Sequence, residues 1–291
     1  MKDYFGYKDK ICVVTGATSG MGKATAEMLS KLGAKVYAIG RNNKVEIEGI
    51  EKFIQADLNI KDSIDKAFTH IPDSIDSFFG IAGVSGMKND FNSTVTIDFI
   101  ANKYICENYL TKRMKEGSSI AFITSTGGIG WEKDGNKKEY MPLIKAKAWK
   151  ESVTALEGME LNALPGPLGY AFAKLAMNYY VAYLQEIFAS KHIRVNAVLP
   201  GATDTGIKNE FSKAVGGDEN LLKFTGFAGR LAESSEMAEP VVFLNSNMAR
   251  YVSGELLIVD YGTSICTQAG IQNDPMGGAT FDKIKLKFVR K

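Results

Sequence analysis

Short apolar runs alternate with longer amphipathic stretches along most of this chain of 291 residues. The runs at 11–14, 36–39 and 119–124 are typical of strands that are buried on both faces of a sheet. The amphipathic stretches between them are typical of helices. Because repeated strand–helix units form a parallel sheet with helices on both faces, the pattern predicts an α/β fold with a doubly wound (Rossmann) parallel sheet.

The same patterns predict the positions of seven strands, at 11–14, 36–39, 52–55, within 74–81, and at 119–124, 194–199 and 256–259. Helices are predicted over 20–32, 97–113 and 170–190, and Ser234 is predicted to cap a helix that runs to about Leu244. The chain shows no internal repeat or low-complexity tract. We therefore interpret 1–291 as one domain, with a core of about 10–263 and a C-terminal tail of about 264–291.

Residues 127–168 interrupt this alternation and show no strand pattern. Their apolar residues follow helical spacing from about Met141 to Met159, which predicts one amphipathic helix there. A long excursion inside a compact domain is usually functional or disordered, and apolar residues such as Trp149 make disorder the weaker interpretation. We expect a helical insertion.

Composition excludes several classes of function. Net charge is +2, from 35 Lys and Arg against 33 Asp and Glu, so the chain has no electrostatic footprint for nucleic acid. His70 and His192 are too few for a histidine metal site or a Ser-His-Asp triad. Cys12, Cys106 and Cys266 are widely spaced among apolar residues, which indicates a reducing compartment. No apolar run approaches the ~18 residues that span a bilayer. We expect a cytoplasmic protein without metal, nucleic-acid or membrane partners.

The first strand leads into a glycine-rich turn and then a helix, in the sequence Thr15-Gly16-Ala17-Thr18-Ser19-Gly20-Met21-Gly22. A Cβ would block both the tight turn and the approach of a pyrophosphate to the helix N-terminus. Backbone amides and the positive end of the helix dipole bind phosphate there. The spacing is not that of the commonest dinucleotide fingerprint, but its place between a strand and a helix favours nucleotide binding over a plain helix entry.

A second motif is formed by Tyr170 and Lys174, which lie on one face of the predicted long helix. A phenol with a pKa near 10 is a poor acid or base at neutral pH. A lysine charge at ~4 Å would lower that pKa by up to about three units. Ser125 follows the fifth strand, at the edge where doubly wound sheets bind ligands, and adds a hydroxyl group.

Taken together, these motifs resemble those of the short-chain dehydrogenase/reductase family. The matching residues span about 10–263 and are Thr15, Gly16, Gly20, Gly22, Asp57, Ala82, Gly83, Ser125, Tyr170, Lys174, Asn196, Pro200, Gly201 and Thr205. The 45 residues from Ser125 to Tyr170 exceed the family's usual gap. Such an insertion, and the segments 200–205 and 229–238, resemble bacterial 3α-hydroxysteroid dehydrogenases. Some carbonyl reductases share the insertion.

The resemblance implies roles for these positions. Tyr170 would be the general acid in carbonyl reduction and the general base in alcohol oxidation, and Ser125 would hydrogen-bond the substrate oxygen. Lys174 would lower the pKa of Tyr170 and hold the nicotinamide ribose. Asp57 would meet the adenine amino group, and Thr205 would fix the carboxamide. The implied cofactor-binding residues are Gly16, Thr18, Ser19, Gly20, Met21, Gly22, Gly40, Arg41, Asp57, Leu58, Ala82, Gly83, Tyr170, Lys174, Pro200, Gly201, Thr203 and Thr205.

Two positions depart from the family's pattern. The motif usually written Asn-Asn-Ala-Gly is Gly-Ile-Ala-Gly at 80–83, which loses side-chain hydrogen bonds to the sheet. Asp98 stands where the family places an asparagine that supports a water relay to the lysine. If the relay uses the main-chain carbonyl of Asp98, an aspartate can serve; if it needs an uncharged side chain, the catalytic tetrad is altered.

Cofactor preference is predicted from the end of the second strand. Family members that prefer NAD(H) usually carry an acidic residue there, but this chain has Gly40 followed by Arg41. Arg41 offers a charged, planar group suited to the 2′-phosphate of NADP(H), although a solvated arginine is the alternative. We expect NADP(H) to be preferred, with NAD(H) possible.

The sequence therefore predicts an NADP(H)-dependent enzyme that interconverts a secondary alcohol and a ketone. The favoured substrate is a hydroxysteroid or bile acid, oxidised at position 3. One alternative is a carbonyl reductase of smaller ketones or of aromatic alcohols and aldehydes; another is a dinucleotide-sensing protein without turnover. We expect a homo-oligomer, a dimer or tetramer. The insertion is predicted to form a flap whose Trp149 lines the substrate site, the alternative being an appendage that governs oligomerisation.

Overall fold

The computed structural model describes residues 3–43, 46–275 and 281, and within them it contains one sheet of seven parallel strands. In chain order these are β1 (Ile11–Thr15), β2 (Lys35–Gly40), β3 (Lys52–Gln55), β4 (Ile75–Gly80), β5 (Met114–Ile123), β6 (Arg194–Pro200) and β7 (Leu256–Val259). Their order across the sheet is β3-β2-β1-β4-β5-β6-β7. The order reverses between β1 and β4, so the predicted doubly wound sheet is confirmed and its ligand-binding switch point lies between these strands.

The described residues contain twelve α-helices, several of which pack on the two faces of the sheet. They are α1 (Gly20–Lys31), α2 (Lys61–Phe68), α3 (Phe91–Val95), α4 (Ala101–Ile105), α5 (Thr111–Arg113), α6 (Asp134–Lys145), α7 (Trp149–Glu157), α8 (Gly166–Phe188), α9 (Lys208–Val215), α10 (Asp218–Leu222), α11 (Ser234–Asn245) and α12 (Thr263–Gln268). Two π-helical turns, Thr96–Ile100 and Cys106–Leu110, join α3, α4 and α5 into one stretch. None of the helices in these ranges is long and apolar enough to cross a membrane.

Alternate residues of the central strands point to opposite faces of the sheet. Cys12 and Val14 of β1 pack in an apolar cluster with α1 and α11, whereas Val13 packs in a second cluster with α8. All three strand residues are fully buried. The central strands are therefore covered on both sides, which is why they appear in the sequence as uninterrupted apolar runs.

The insertion differs from its prediction. The single helix expected from Met141 to Met159 is two helices, α6 and α7, with an extended backbone at Ala146 and Ala148 between them. The buried ammonium of Lys103 donates hydrogen bonds to the Ala146 carbonyl at 2.5 Å and to Glu107 at 2.7 Å. This contact is made across 43 residues of sequence, so helical periodicity could not reveal it.

The start of α11 also differs. The sequence predicts Ser234 as the capping residue, but Glu233 occupies that position. The side chain of Glu233 accepts a hydrogen bond from the amide of Glu236, and the carboxylate of Glu236 accepts one from the amide of Glu233 at 2.8 Å. This reciprocal capping box satisfies two backbone donors, whereas the Ser234 hydroxyl donates to the carbonyl of Asp204.

Aromatic side chains of the insertion pack on the outer surfaces of neighbouring helices. The ring of Trp149 meets the ring of Tyr104 on α4 edge-on, with their centroids 5.4 Å apart. Trp131 and Tyr140 pack against Tyr179 on α8, with centroid distances of 6.2 and 5.4 Å. The insertion is therefore part of the packed body of the protein, and the contact of Trp149 with Tyr104 gives no support to a flap that lines the substrate site.

Candidate active site

Ser125, Tyr170 and Lys174 come together at the carboxyl edge of the sheet. Ser125 follows β5, and the other two lie one turn apart on α8. The hydroxyl group of Ser125 lies beside the ring of Tyr170, since a Cβ at Gly127 would be 3.3 Å from that hydroxyl and 3.7 Å from the ring, and it accepts the amide of Gly127 at 3.0 Å. The Nζ atom of Lys174 lies 5.1 Å from the centroid of the Tyr170 ring. The structure thus places Ser125 and Lys174 next to Tyr170.

A residue that sequence reasoning missed holds Ser125 in place. The side-chain amide of Asn178 donates to the carbonyl of Gly128 at 3.0 Å, and so ties the turn after Ser125 to α8. A Cβ at Gly128 would lie 2.6 Å from the carbonyl oxygen of Lys174, so only glycine fits this contact. Asn178 stands one helical turn after Lys174, on the same face, and that spacing was the available signal.

Asp98 lies beside Lys174 in the interior of the protein. Its Oδ2 atom is 3.2 Å from Nζ of Lys174, and the two side chains are 0% and 6% exposed. Its Oδ1 atom accepts the amide of Val84 at 2.8 Å, and its main-chain carbonyl accepts the side-chain amide of Asn102 at 3.3 Å. The carboxylate itself, rather than the main-chain carbonyl, therefore reaches the lysine.

These charges set the pKa values of the site. Burial raises the pKa of Tyr170 above its ordinary value; Lys174 and the hydrogen bond from Ser125 lower it, and Asp98 raises it further. The net direction is upward because burial outweighs the lowering by Lys174, whose effect on this pKa has the expected direction. Burial also raises the pKa of Asp98. Burial by itself would lower the pKa of Lys174, but Asp98 and Tyr170 together raise it above its ordinary value.

The glycine-rich turn forms a cradle at the N-terminus of α1. Gly16 has φ +73°, and a Cβ there would lie 2.7 Å from the Cα of Ala82. A Cβ at Gly22 would lie 2.2 Å from the carbonyl oxygen of Gly16. Ser19 is the N-cap, its side chain makes no capping hydrogen bond among the described residues, and the first turn carries no acidic side chain. The free amides and positive dipole fit a pyrophosphate.

The loop after β6 closes the other side of this cradle. A Cβ at Gly20 would lie 3.5 Å from the Cβ of Thr205. Gly201 passes so close to Asp260 that a Cβ there would lie 2.7 Å from it. Thr203 donates its hydroxyl proton to the carbonyl of Gly201 at 3.0 Å, so that hydroxyl is engaged within the loop. Pro200, Gly201, Thr203 and Thr205 therefore lie along the same edge as the glycine-rich turn, as predicted from the resemblance.

The end of β2 also meets the cradle. A Cβ at Gly40 would lie 2.3 Å from Cγ2 of Thr18, so a larger residue at this position would displace the Thr18 side chain. Arg41 is exposed, and its carbonyl accepts the side-chain amide of Gln55 at 3.0 Å. After β3, Asp57 accepts the amide of Asn59 at 2.9 Å through Oδ1, and Leu58 is buried.

The backbone at 80–83 is held to β1 by Thr15. Its hydroxyl oxygen accepts the amides of Ile81 at 3.1 Å and Ala82 at 3.2 Å. Gly83 stands over the charged pair, because a Cβ there would lie 3.3 Å from Oδ2 of Asp98 and 3.4 Å from Nζ of Lys174.

Two further residues, Glu210 and Phe211 on α9, border the site and carry no motif in the sequence. The ring of Phe211 packs edge-on against the ring of Tyr170, with centroids 5.4 Å apart. Glu210 binds Ser85 and Lys88 in the loop after β4. Phe211 and Lys88 are separated from their partners by long stretches of sequence, so only the fold brings them together.

The sequence matches known family profiles over most of its length. A profile described as short chain dehydrogenase matches residues 10–134, and one described as Enoyl-(Acyl carrier protein) reductase matches 138–264. Coniferyl-alcohol dehydrogenase from Pseudomonas sp. (strain HR199 / DSM 7063) is 30% identical over 259 residues, which cover 87% of this chain and 96% of that protein. The 3-alpha-hydroxysteroid dehydrogenase/carbonyl reductase of Comamonas testosteroni is 25% identical over 260 residues, covering 87% and 95%.

Solved structures share the fold. The 3-alpha-hydroxysteroid dehydrogenase from Pseudomonas sp. B-0831, crystallised with NADH, is 22% identical and superimposes with a TM-score of 0.72, covering 89% of this chain and 99% of that one. Levodione reductase is 21% identical, with a TM-score of 0.69 and the same coverage. The family assignment rests on the 30% identity across nearly all of the coniferyl-alcohol dehydrogenase sequence. This chain is a member of the short-chain dehydrogenase/reductase family of oxidoreductases.

Proposed function

We propose that this protein interconverts an apolar alcohol and its carbonyl compound with a nicotinamide dinucleotide. The observation that carries the proposal is the contact of Ser125, Tyr170 and Lys174 at the edge of the sheet that the glycine-rich turn also borders. A sensor without turnover has no need of these three groups together. When bound, NAD(P)H supplies the hydride, which is chemistry that no side chain can provide.

In this proposal the chain's own residues handle the proton and the developing charge. Tyr170 donates its phenolic proton to the carbonyl oxygen during reduction and takes it back during alcohol oxidation. Ser125 hydrogen-bonds the same oxygen and orients it toward Tyr170. Lys174 stabilises the phenolate that is left, and Asp98 holds the lysine in place at 3.2 Å.

We further propose that NADP(H) is preferred. The pyrophosphate would lie at the N-terminus of α1, whose glycines leave no Cβ in the way. Gly40 provides no carboxylate to repel a 2′-phosphate, and the exposed guanidinium of Arg41 follows it directly. The structural neighbour crystallised with NADH carries no weight for this choice, because its 22% identity to this chain supports the fold alone.

For the substrate, two candidates remain. A hydroxysteroid or bile acid, the substrate expected from the sequence, is supported by the 25% identity to the Comamonas enzyme. An aromatic alcohol is supported by the 30% identity to coniferyl-alcohol dehydrogenase and by the aromatic ring of Phe211 beside Tyr170. The packing of Trp149 against Tyr104 removes one argument for a steroid-lining flap. We therefore place the aromatic alcohol first.

The test is a substrate panel followed by NAD(P)H absorbance at 340 nm. Coniferyl alcohol, coniferaldehyde, acetophenone, a 3α-hydroxysteroid and its 3-ketone are each offered with NADP(H) and with NAD(H). We expect the highest kcat/KM for the aromatic pair with NADP(H). A steroid turned over with at least tenfold higher kcat/KM would select the other candidate, and no turnover of any compound would contradict the proposed activity.

We also propose that the chain works as one cytoplasmic dehydrogenase domain and as a homo-oligomer. Its three cysteines are free, and Cys12 and Cys106 are buried among apolar side chains, which suits a reducing compartment. Sedimentation of the purified protein tests the oligomeric state, and a monomer at micromolar concentration would contradict it.

A further inference from the structure

The helix α9 covers one side of Tyr170. Its Phe211 ring lies edge-on to the tyrosine ring, with centroids 5.4 Å apart and planes inclined by 69°. The polar neighbours of Tyr170 are Ser125 and Lys174. The side of the Tyr170 ring that faces α9 is covered by the aromatic ring of Phe211.

Glu210, the neighbour of Phe211, fastens α9 to the opposite side of the site. Its Oε1 atom lies 2.6 Å from Nζ of Lys88, and its Oε2 atom accepts the hydroxyl proton of Ser85. Ser85 is 1% exposed, whereas Lys88 is 80% exposed along its side chain. The hydroxyl of Ser85 is thus the buried anchor, and the lysine adds an ion pair at the surface.

The loop after β4, which binds Glu210, also passes over Lys174. Ser85 and Lys88 follow Gly83, the glycine that stands over the pair of Asp98 and Lys174. The Glu210 contacts therefore connect the two walls of the site, one built on the loop after β4 and one on α9. The pairing with Lys88 and Ser85 keeps the pKa of Glu210 below its ordinary value despite partial burial, which raises it.

The C-terminal end of α9 is joined to α10 through two glycines. Gly216 and Gly217 follow the helix with φ values of +87° and +121°. The hydroxyl group of Ser212 donates to the carboxylate of Asp218 across this turn. Nearer the other end of the helix, the contacts of Glu210 hold α9, and with it Phe211, against the loop after β4.

We propose that Phe211 selects the substrate and that Glu210 is the residue that positions it; the proposal rests on the proposed function. The favoured substrates carry a ring or a flat unsaturated group on the carbon that bears the oxygen. Such a group contacts the Phe211 ring at the spacing that aromatic pairs prefer. A small aliphatic substituent leaves that ring surface without a partner.

Two methyl ketones, acetophenone and 2-butanone, test the selection because they differ only in the second substituent. Phe211→Ala should lower kcat/KM for acetophenone about tenfold while changing that for 2-butanone less than about threefold. Phe227→Ala is the matched control, because Phe227 lies in the same segment between β6 and α11 and is 67% exposed. Equal losses for both ketones with Phe211→Ala would overturn the selecting role.

Glu210→Gln tests the positioning role, with Glu219→Gln on α10 as an exposed control. Glu210→Gln should reduce the acetophenone preference in the same direction as Phe211→Ala, whereas a merely structural loss would lower kcat/KM for both ketones alike. The two variants should also be non-additive when combined, because they act on one contact.

Hydrogen–deuterium exchange of the full chain tests the anchor without any substrate. Glu210→Gln should speed exchange of amides in 208–215 about tenfold, and Glu219→Gln should not. Unchanged exchange with Glu210→Gln would overturn the anchor. A wild-type protein that reduces neither ketone, but whose 208–215 amides respond to Glu210→Gln, would contradict the proposed activity and leave the anchor standing.

Discussion

Nζ of Lys174 lies 3.2 Å from Oδ2 of Asp98, and both side chains are buried. Members of the family usually have an uncharged asparagine at the position of Asp98. In this chain a carboxylate therefore stands next to the charge of the lysine. That opposition reaches Tyr170, whose pKa is raised first by burial and then also by Asp98. Burial therefore favours the protonated phenol, which is the form needed to reduce a carbonyl group, and Asp98 offsets part of the opposing effect of Lys174.

The raised pKa of Tyr170 predicts different pH profiles for the two directions. Oxidation needs the deprotonated phenol, so log kcat/KM for the alcohol should rise with a slope of about +1 from about pH 7 to about pH 9. Reduction needs the protonated phenol and should be flat over the same range. Profiles measured in both directions test this, and a reduction rate that falls steeply from about pH 7 upward would contradict it.

Replacing Asp98 with asparagine should move these profiles. Removing the carboxylate removes one contribution that raises the pKa of Tyr170, so the rise of log kcat/KM for the alcohol, called the oxidation limb below, should occur at lower pH. At a fixed pH below that pKa, a limb that moves by about one pH unit should speed oxidation about tenfold. Asp62→Asn, at an exposed position on α2, is the control. An oxidation limb that stays in place or moves to higher pH in Asp98→Asn would show that the carboxylate does not act on Tyr170.

Arg41→Ala tests the cofactor preference. A charge-assisted contact is worth ~1.5–3 kcal/mol, so we expect the wild type to prefer NADP(H) about ten- to a hundredfold. The variant should lose most of that preference while its activity with NAD(H) changes little. Arg250→Ala, which removes another exposed arginine, should retain the preference. A wild type that favours NAD(H) would contradict the role of Arg41.

Trp149→Ala tests whether the insertion is a structural appendage. Loss of its contact with Tyr104 should lower the free energy of unfolding by about 1–3 kcal/mol. Because this contact lies between α7 and α4, KM values for a steroid and for a small ketone should change by the same factor. Denaturant unfolding and steady-state kinetics measure the two effects. A KM that rises for the steroid alone would restore Trp149 as a wall of the substrate site.

Local sequence patterns predict most strands of the sheet, but they do not predict the two helices of the insertion. The strand at 256–259 is found at its predicted position, because its apolar run is bounded by turn residues. At the break between α6 and α7, Lys103 reaches the Ala146 carbonyl from another helix, and the carboxylate of Glu151 accepts the amide of Lys147 at 2.8 Å. Helical periodicity within 141–159 does not reveal the contact with Lys103, because Lys103 lies elsewhere in the chain.

The candidate site divides in the same way. Tyr170 and Lys174 are four residues apart on one helix, so their proximity follows from helical spacing alone. The importance of Asp98 follows from the resemblance, but its direct contact with Lys174 depends on how the π-helical turn packs against α8. Phe211 and Glu210 belong to no motif. Their contacts with Tyr170 and Ser85 join residues that are far apart in the sequence, so they follow only from the tertiary structure.

The central claim is that Tyr170 transfers the proton in a hydride-transfer reaction, and Tyr170→Phe tests it most directly. The variant keeps the ring and removes only the hydroxyl group, so NADPH binding, followed by cofactor fluorescence, should stay within about threefold of the wild type. Turnover measured at 340 nm should fall by at least ~100-fold, the lower range for general acid–base catalysis. Turnover close to that of the wild type, with NADPH still bound, would contradict the claim.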